Sequence, residues 1–256
     1  MSDAEIDARL YVDAGLEPGA EVPLSPAQAH YLRNVLRLME GARLALFNGR
    51  DGEWAAGLIR LGKAGAVASC RRLLRPQESG PDLWLCCALV KRPRFDAIVE
   101  KAAELGAAAL LPVLTRHTVV DRLNPARVAA QLVEAAEQCE RLDVPRLENL
   151  RPLDRLLAEW PQDRPLIAAL ESGPVRPIAE VVRDLGPRPA AILTGPEGGF
   201  AQSELDALGR LPFVHAVGLG PRILRADTAA LSALACWQAL AGDWASGRPP
   251  GRFPIP

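Results

Sequence analysis

Two short segments near the carboxyl end hold the residues best suited to chemistry. TGPEGG at 194–199 and GLGPRILRADT at 218–228 each follow directly on an apolar run. Gly195, Gly198 and Gly199 carry no Cβ, so a flat or extended ligand could lie against main-chain amides and carbonyls there. The first segment has neither the Lys nor the Ser/Thr of a phosphate-binding P-loop and does not read GxGxxG, so neither nucleotide fingerprint applies. In the second segment Gly218, Gly220 and Pro221 shape a turn, and Arg222 and Arg225 deliver two guanidinium groups immediately before a helix. Helix amides beside two fixed cations suit an anionic or electron-rich substrate. Ile223 and Leu224, between the arginines, read as the apolar wall of a pocket, and Asp227 is the nearest acid. Each residue also has a plainer reading: arginines cap carbonyls or pair with acids, and a glycine-rich turn is only a tight bend.

The elements around these segments decide between the readings. PLIAALE (165–171), AAILT (190–194) and VHAVGLG (214–220) have the composition of buried strands, and the last two end at the two segments. Upstream, LWLCCALV (83–90) precedes a helical pattern, RFDAIVEKAAELG, with apolar positions at Phe95, Ile98, Val99, Ala102 and Leu105, and then ALLPVL. Asn124-Pro125 caps a second helical pattern in which Val128, Leu132, Ala136 and Cys139 share a face. Strands alternating with helices predict an α/β fold with a parallel sheet, in which ligands bind at the carboxyl ends of strands.

The amino-terminal part differs. Ser25-Pro26 starts a predicted helix, SPAQAHYLRNVLRL, that sets His30, Arg33 and Arg37 on one face. RLALFN, EWAAGLIRL and AVASCRRLL follow as strand-like runs separated by the turn sequences NGRDG and LGKAG. This predicts a small, mostly β domain over 1–74, a polar Pro/Gly connector at 75–82 and a second domain over 83–256. The net charge is −1, but residues 25–75 hold nine Arg/Lys against three acids, a plausible phosphate footprint.

Five cysteines show no CxxC pair and no His/Cys spacing suited to zinc, so no metal is expected, and Cys86-Cys87 read as core. The apolar stretches at 83–90 and 229–241 fall short of the roughly 20 residues of a membrane span. The start, MSDAEIDARL, is acidic where a signal peptide is basic, so a cytoplasmic location is expected.

Five segments then occur in order: LVKRPRFDAIVEKAAELG, PVLTRHTVV, AAEQCERLDVP, ILTGPEGGF and VGLGPRILRADTAAL. With HYLRNVLRL and FNGRDG upstream, the chain closely resembles the family of small-subunit ribosomal RNA methyltransferases that methylate N3 of a uridine, within the knotted SPOUT superfamily. The resemblance covers nearly the whole chain. It implies an N-terminal PUA-like β-barrel that helps hold RNA and a C-terminal α/β domain with a deep trefoil knot over about 165–242. It also implies S-adenosylmethionine as cofactor, 16S ribosomal RNA of the small subunit as partner, and a homodimer packed through the knotted domains.

By position, the resemblance implies that Leu193, Thr194, Gly195, Glu197, Gly198 and Gly199 line one side of the cofactor. Leu219, Gly220, Ile223, Leu224, Arg225 and Thr228 line the other, and Leu170 touches it. Arg222 and Arg225 would stabilise charge on the uracil carbonyls as the N3 proton leaves, with Asp227 as its acceptor. Lys91 and Arg94 join His30, Arg33 and Arg37 as expected RNA contacts. The family commonly has Glu where Asp227 stands, a Gly-acid pair where Arg92-Pro93 stand, and Gly where Glu140 stands. Two other functions fit the same residues: an RNA-binding assembly module of this fold without catalysis, and an enzyme using an anionic nucleotide at the same loops.

Overall fold

The computed structural model describes residues 6–62 and 65–246. Met1–Glu5 of the acidic start and Lys63-Ala64 of the LGKAG turn lie outside the described residues. The chain divides into two compact units, the first comprising 1–79 with 136–144 and the second comprising 80–135 with 145–256.

The first unit is built on a five-stranded sheet of β1 (Ala8–Tyr11), β2 (Glu21–Leu24), β3 (Arg43–Phe47), β4 (Glu53–Gly62) and β5 (Gly65–Arg75), in the order β1-β3-β4-β5-β2. β1 runs parallel to β3, and the other pairings are antiparallel. Alternation along the strands buries Leu10, Val22, Leu44, Leu46, Leu58 and Ala68 in one core. Between β2 and β3 lies α1 (Pro26–His30), which begins with a capping box. Ser25 Oγ accepts from Gln28 N at 3.2 Å, and Gln28 Oε1 accepts from Ser25 N at 2.9 Å. Ser25→Ala is expected to cost about 1 kcal/mol, seen as a lower urea midpoint at unchanged slope.

The expected basic helix face is only partly formed. After His30 the chain widens into a π turn over Tyr31–Val35, and Leu36 ends it. Arg37 lies beyond that end with φ +56°, so the i, i+3, i+7 alignment of His30, Arg33 and Arg37 does not exist. Sequence spacing assumes a 3.6-residue repeat throughout, and the π turn breaks it.

The second unit opens with β6 (Leu83–Ala88), α2 (Arg92–Glu104) and β7 (Ala109–Leu114). α3 (Pro125–Gln138) follows; its last three residues belong to the first unit. Next come β8 (Arg146–Leu147), β9 (Arg151–Pro152), α4 (Leu153–Ala158), β10 (Leu166–Ala169), β11 (Arg176–Pro177) and α5 (Ile178–Leu185). The chain continues through β12 (Ala190–Thr194), α6 (Gln202–Leu208), β13 (Val214–Gly218) and α7 (Ala226–Ala241). The sheet order is β11-β13-β10-β12-β6-β7-β8, with β9 also on β7, and every pairing is parallel. Pro112, which has no N–H to give, falls between the stretch of β7 that pairs with β8 and the stretch that pairs with β9.

β6, β7, β10 and β12 are buried at nearly every position, as in strands covered on both faces, which explains their unbroken apolar runs. Cys86 and Cys87 are wholly buried, and burial pushes the Cys87 thiol up to about 12, leaving it unreactive. α2 and α5 both pack on α7, which buries Ala230, Ala233, Leu234 and Trp237. Gln238 of α7 is buried too, and its Nε2 donates to Leu105 O at 2.8 Å, which satisfies one of the amide's two N–H donors. Arg92 and Pro93 occupy the first turn of α2, where proline's missing N–H costs no hydrogen bond. Among the described residues no helix is long and apolar enough to cross a membrane.

Candidate functional site

β13, β10 and β12 are neighbours in the sheet and run parallel, so their carboxyl ends open on one side. The three loops that leave those ends converge on a cavity of about 220 Å³. From the β12 loop, Gly195, Gly198 and Gly199 line it, together with Phe200. From the loop after β13 come Leu219, Gly220, Arg222, Ile223 and Leu224. Leu170 and Glu171 come from the end of β10, and Ala226 and Ala229 close the floor from α7.

Local structure explains why these positions carry glycine. The β12 loop is a tight turn closed by Gly199 N donating to Pro196 O at 3.0 Å, and Gly199 has φ +65°. A Cβ on Gly195 would stand 3.0 Å from the Phe200 ring. Gly220 has φ +107° with open space around it, so backbone conformation rather than crowding selects glycine there. Across the cavity the charges are opposed: Arg222 lies at the α7 end, where Arg225 is the N-cap with no side-chain cap, and Glu171 lies at the β10 end.

The remaining expected site residues lie elsewhere. Leu193 and Thr194 are buried within β12 and carry the loop without lining the cavity. Glu197 points to α2, where Arg94 Nη1 donates to its Oε1 at 3.0 Å; one expected RNA contact is thus paired with one expected cofactor residue. Arg225, Asp227 and Thr228 start α7 outside the lining, and Asp227 Oδ1 is buried with no hydrogen-bond partner among the described residues. Lys91 is the N-cap of α2 and exposed; His30, Arg33 and Arg37 belong to the first unit. Of the three residues expected to act in catalysis, only Arg222 lines the cavity. Glu171, Phe200 and the two α7 alanines were not anticipated. ESGP (171–174), which begins at the last residue of the 165–171 run, was the available signal for Glu171, since a third strand ending at the same edge brings its loop to the same place.

A family model for an RNA methyltransferase domain matches residues 77–238, and one for an RNA methyltransferase PUA domain matches 24–68. The ribosomal RNA small subunit methyltransferase E of Rickettsia conorii is 31% identical to this chain, over 89% of this chain and 93% of the relative. The chain belongs to the ribosomal RNA small subunit methyltransferase E family. A Synechocystis member of the methyltransferase E family is 33% identical, over 86% of this chain and 74% of its own length. The crystal structure of the methyltransferase E of Neisseria gonorrhoeae bound to S-adenosyl methionine superposes with a TM-score of 0.83 at 27% identity, covering 93% of this chain and 99% of that one. A Legionella pneumophila protein solved with bound SAM gives 0.82 at 29% identity, over 92% and 98% of the two chains. Methyltransferase E membership accounts for the mixed α/β unit with its parallel sheet and for the β-rich unit that carries the PUA match.

Proposed function

We propose that this chain methylates N3 of a uridine in 16S ribosomal RNA, with S-adenosylmethionine as methyl donor. The convergence of three strand-end loops on one glycine-walled cavity carries the reading. The donor set fits that cofactor. Main-chain groups at Gly195, Gly198 and Gly220 suit a flat adenine and a bent chain, and Glu171 suits a cationic centre. Bound there, S-adenosylmethionine supplies an electrophilic methyl group on sulfur.

The chain's own work is then positioning and charge. Fixing the acceptor in line with the methyl group removes much of the entropic barrier. Arg222, in the lining, faces the negative charge that spreads over the uracil carbonyls as the N3 proton departs. Asp227, next in the chain to the lining residue Ala226, is the acid we assign to that proton. Lys91 and the basic residues of the first unit, His30, Arg33 and Arg37, are assigned to RNA phosphates. The partly exposed apolar residues of α7, Leu231 and Leu240 among them, are assigned to a two-fold seam, and the trefoil knot over about 165–242 belongs to the same reading.

Nucleoside mass spectrometry of 16S RNA tests the assignment. Deleting the gene is expected to remove 3-methyluridine, and returning it is expected to restore the signal. Persistence of 3-methyluridine in the deletion strain overturns the proposal. Restored RNA binding without restored 3-methyluridine overturns it in favour of a non-catalytic assembly role.

A further inference from the structure

The stretch PVLTRHTVV has no role in the reading above, yet its middle reaches the glycine turn. Thr115–Thr118, just after β7, folds on itself: Thr115 N donates to Thr118 Oγ1 at 2.9 Å, and the two hydroxyls lie 2.8 Å apart. Held this way, Arg116 N donates to Glu204 Oε1 at 2.9 Å, while Glu204 Oε2 accepts from Ala201 N at 2.8 Å. One carboxylate thus ties the strap to the end of the glycine turn. The His117 ring completes the tie, with Nδ1 at 3.0 Å from Gly198 O and 3.2 Å from Gly199 O.

Carbonyl oxygens only accept hydrogen bonds, so Nδ1 must carry the proton. Gly198 is also the residue a side chain would crowd here, because a Cβ on it would stand 3.2 Å from His117 Cβ. Arg94 holds the preceding residue, Glu197, from the α2 side. The turn is therefore gripped at three consecutive residues by groups that follow β6 and β7, while its other side lines the cavity. Glycine-rich backbone has the most conformations to lose on ordering, so an external donor has most to contribute at such a turn.

We propose that His117 is a positioning residue of the cofactor cavity, whose Nδ1–H clamps the Gly198 and Gly199 carbonyls and presets the turn for the donor. This rests on the reading that the cavity binds S-adenosylmethionine. His117→Asn keeps an N–H at the place of Nδ1, His117→Ala removes it, and His117→Asp sets an acceptor against two carbonyls.

Calorimetric titration of the full chain with S-adenosylmethionine is expected to show Kd raised roughly tenfold in His117→Ala and further in His117→Asp, with His117→Asn staying within about threefold of the parent. KM for the donor should follow Kd while kcat changes less. Two readouts do not need the donor: long-range proton–nitrogen NMR should find His117 in the Nδ1–H tautomer, and amide exchange at Gly199 and Ala201 should speed up in His117→Ala. Unchanged Kd in both His117→Ala and His117→Asp, or an Nε2–H tautomer, overturns the clamp. A parent chain that binds no S-adenosylmethionine overturns the proposed function instead, and the tautomer and exchange rates then decide the clamp alone.

Discussion

Glu53→Ala should destabilise the first unit by about 3–5 kcal/mol, the usual consequence of removing one partner from a buried ionic cluster. The Glu53 side chain is only 5% exposed and takes Arg9 Nε at 2.6 Å and Arg75 Nε at 2.7 Å. Arg9 also lies over the Phe47 ring at 3.8 Å and donates to Ala136 O at 2.8 Å and Arg141 O at 2.6 Å, and Arg75 donates to Glu140 O at 2.8 Å. Without the carboxylate, two largely buried guanidinium groups would lose the anion that bridges them. Urea unfolding at neutral pH measures the loss, and amide exchange in β3–β5 assigns it to this unit. A loss under about 1 kcal/mol would contradict the cluster's role.

The same carboxylate sets an acid limit. Burial pushes the Glu53 pKa up, but the hydrogen bonds from Arg75 and Arg9 and the attraction of both guanidiniums outweigh it, so the net shift is downward. A depressed carboxylate contributes stability that is complete above its unfolded-state pKa and is lost as pH falls through the folded one. Stability should therefore decline below about pH 4.5. Glu53→Gln should start lower at neutral pH and lose less on acidification.

The second large effect belongs to the cavity. A residue with a branched Cβ at φ +107° is strained by about 1–3 kcal/mol, and Gly220 has that φ with nothing among the described residues within 4 Å of where the Cβ would stand. Gly220→Val therefore meets no clash and acts by redirecting the path of Pro221–Leu224, which carries Arg222 and Leu224 to the cavity. If the strain falls wholly on the bound geometry, affinity for S-adenosylmethionine drops by a factor of roughly 5 to 150. Gly195→Val acts differently: its Cβ would press on the Phe200 ring at 3.0 Å, and the ring can yield. The smaller loss is expected there. Unchanged calorimetric affinity in both variants would separate these loops from cofactor binding.

How much of this was legible in the sequence follows from length and periodicity. The long apolar runs of β6, β7, β10 and β12 read plainly as strands, because a sheet covered on both faces needs little else. The helices α4, α5 and α6 did not: they span six to eight residues, too few turns for a 3.6-residue repeat to stand out. Four-residue β1 and β2 were silent because they bury only one and two side chains and so carry no apolar run. At the site, glycine and proline marked both loops correctly because turn chemistry is local. The pairing of Arg94 with Glu197 and the grip of His117 on Gly198 were hidden, since they join residues 103 and 81 positions apart. Glu140 shows a middle case: the resembled family commonly has glycine there, and the backbone does adopt φ +61°, a conformation that glycine takes without strain.

The discontinuity of the first unit bears on how the chain matures during synthesis. A nascent polypeptide that has emerged only as far as Ser79 carries Arg9 and Arg75 but not Ala136, Glu140 or Arg141, whose carbonyls those guanidiniums grip. The amino-terminal unit must then wait, unfinished, until more than half of the message has been translated, so vectorial folding one unit at a time is closed to this protein.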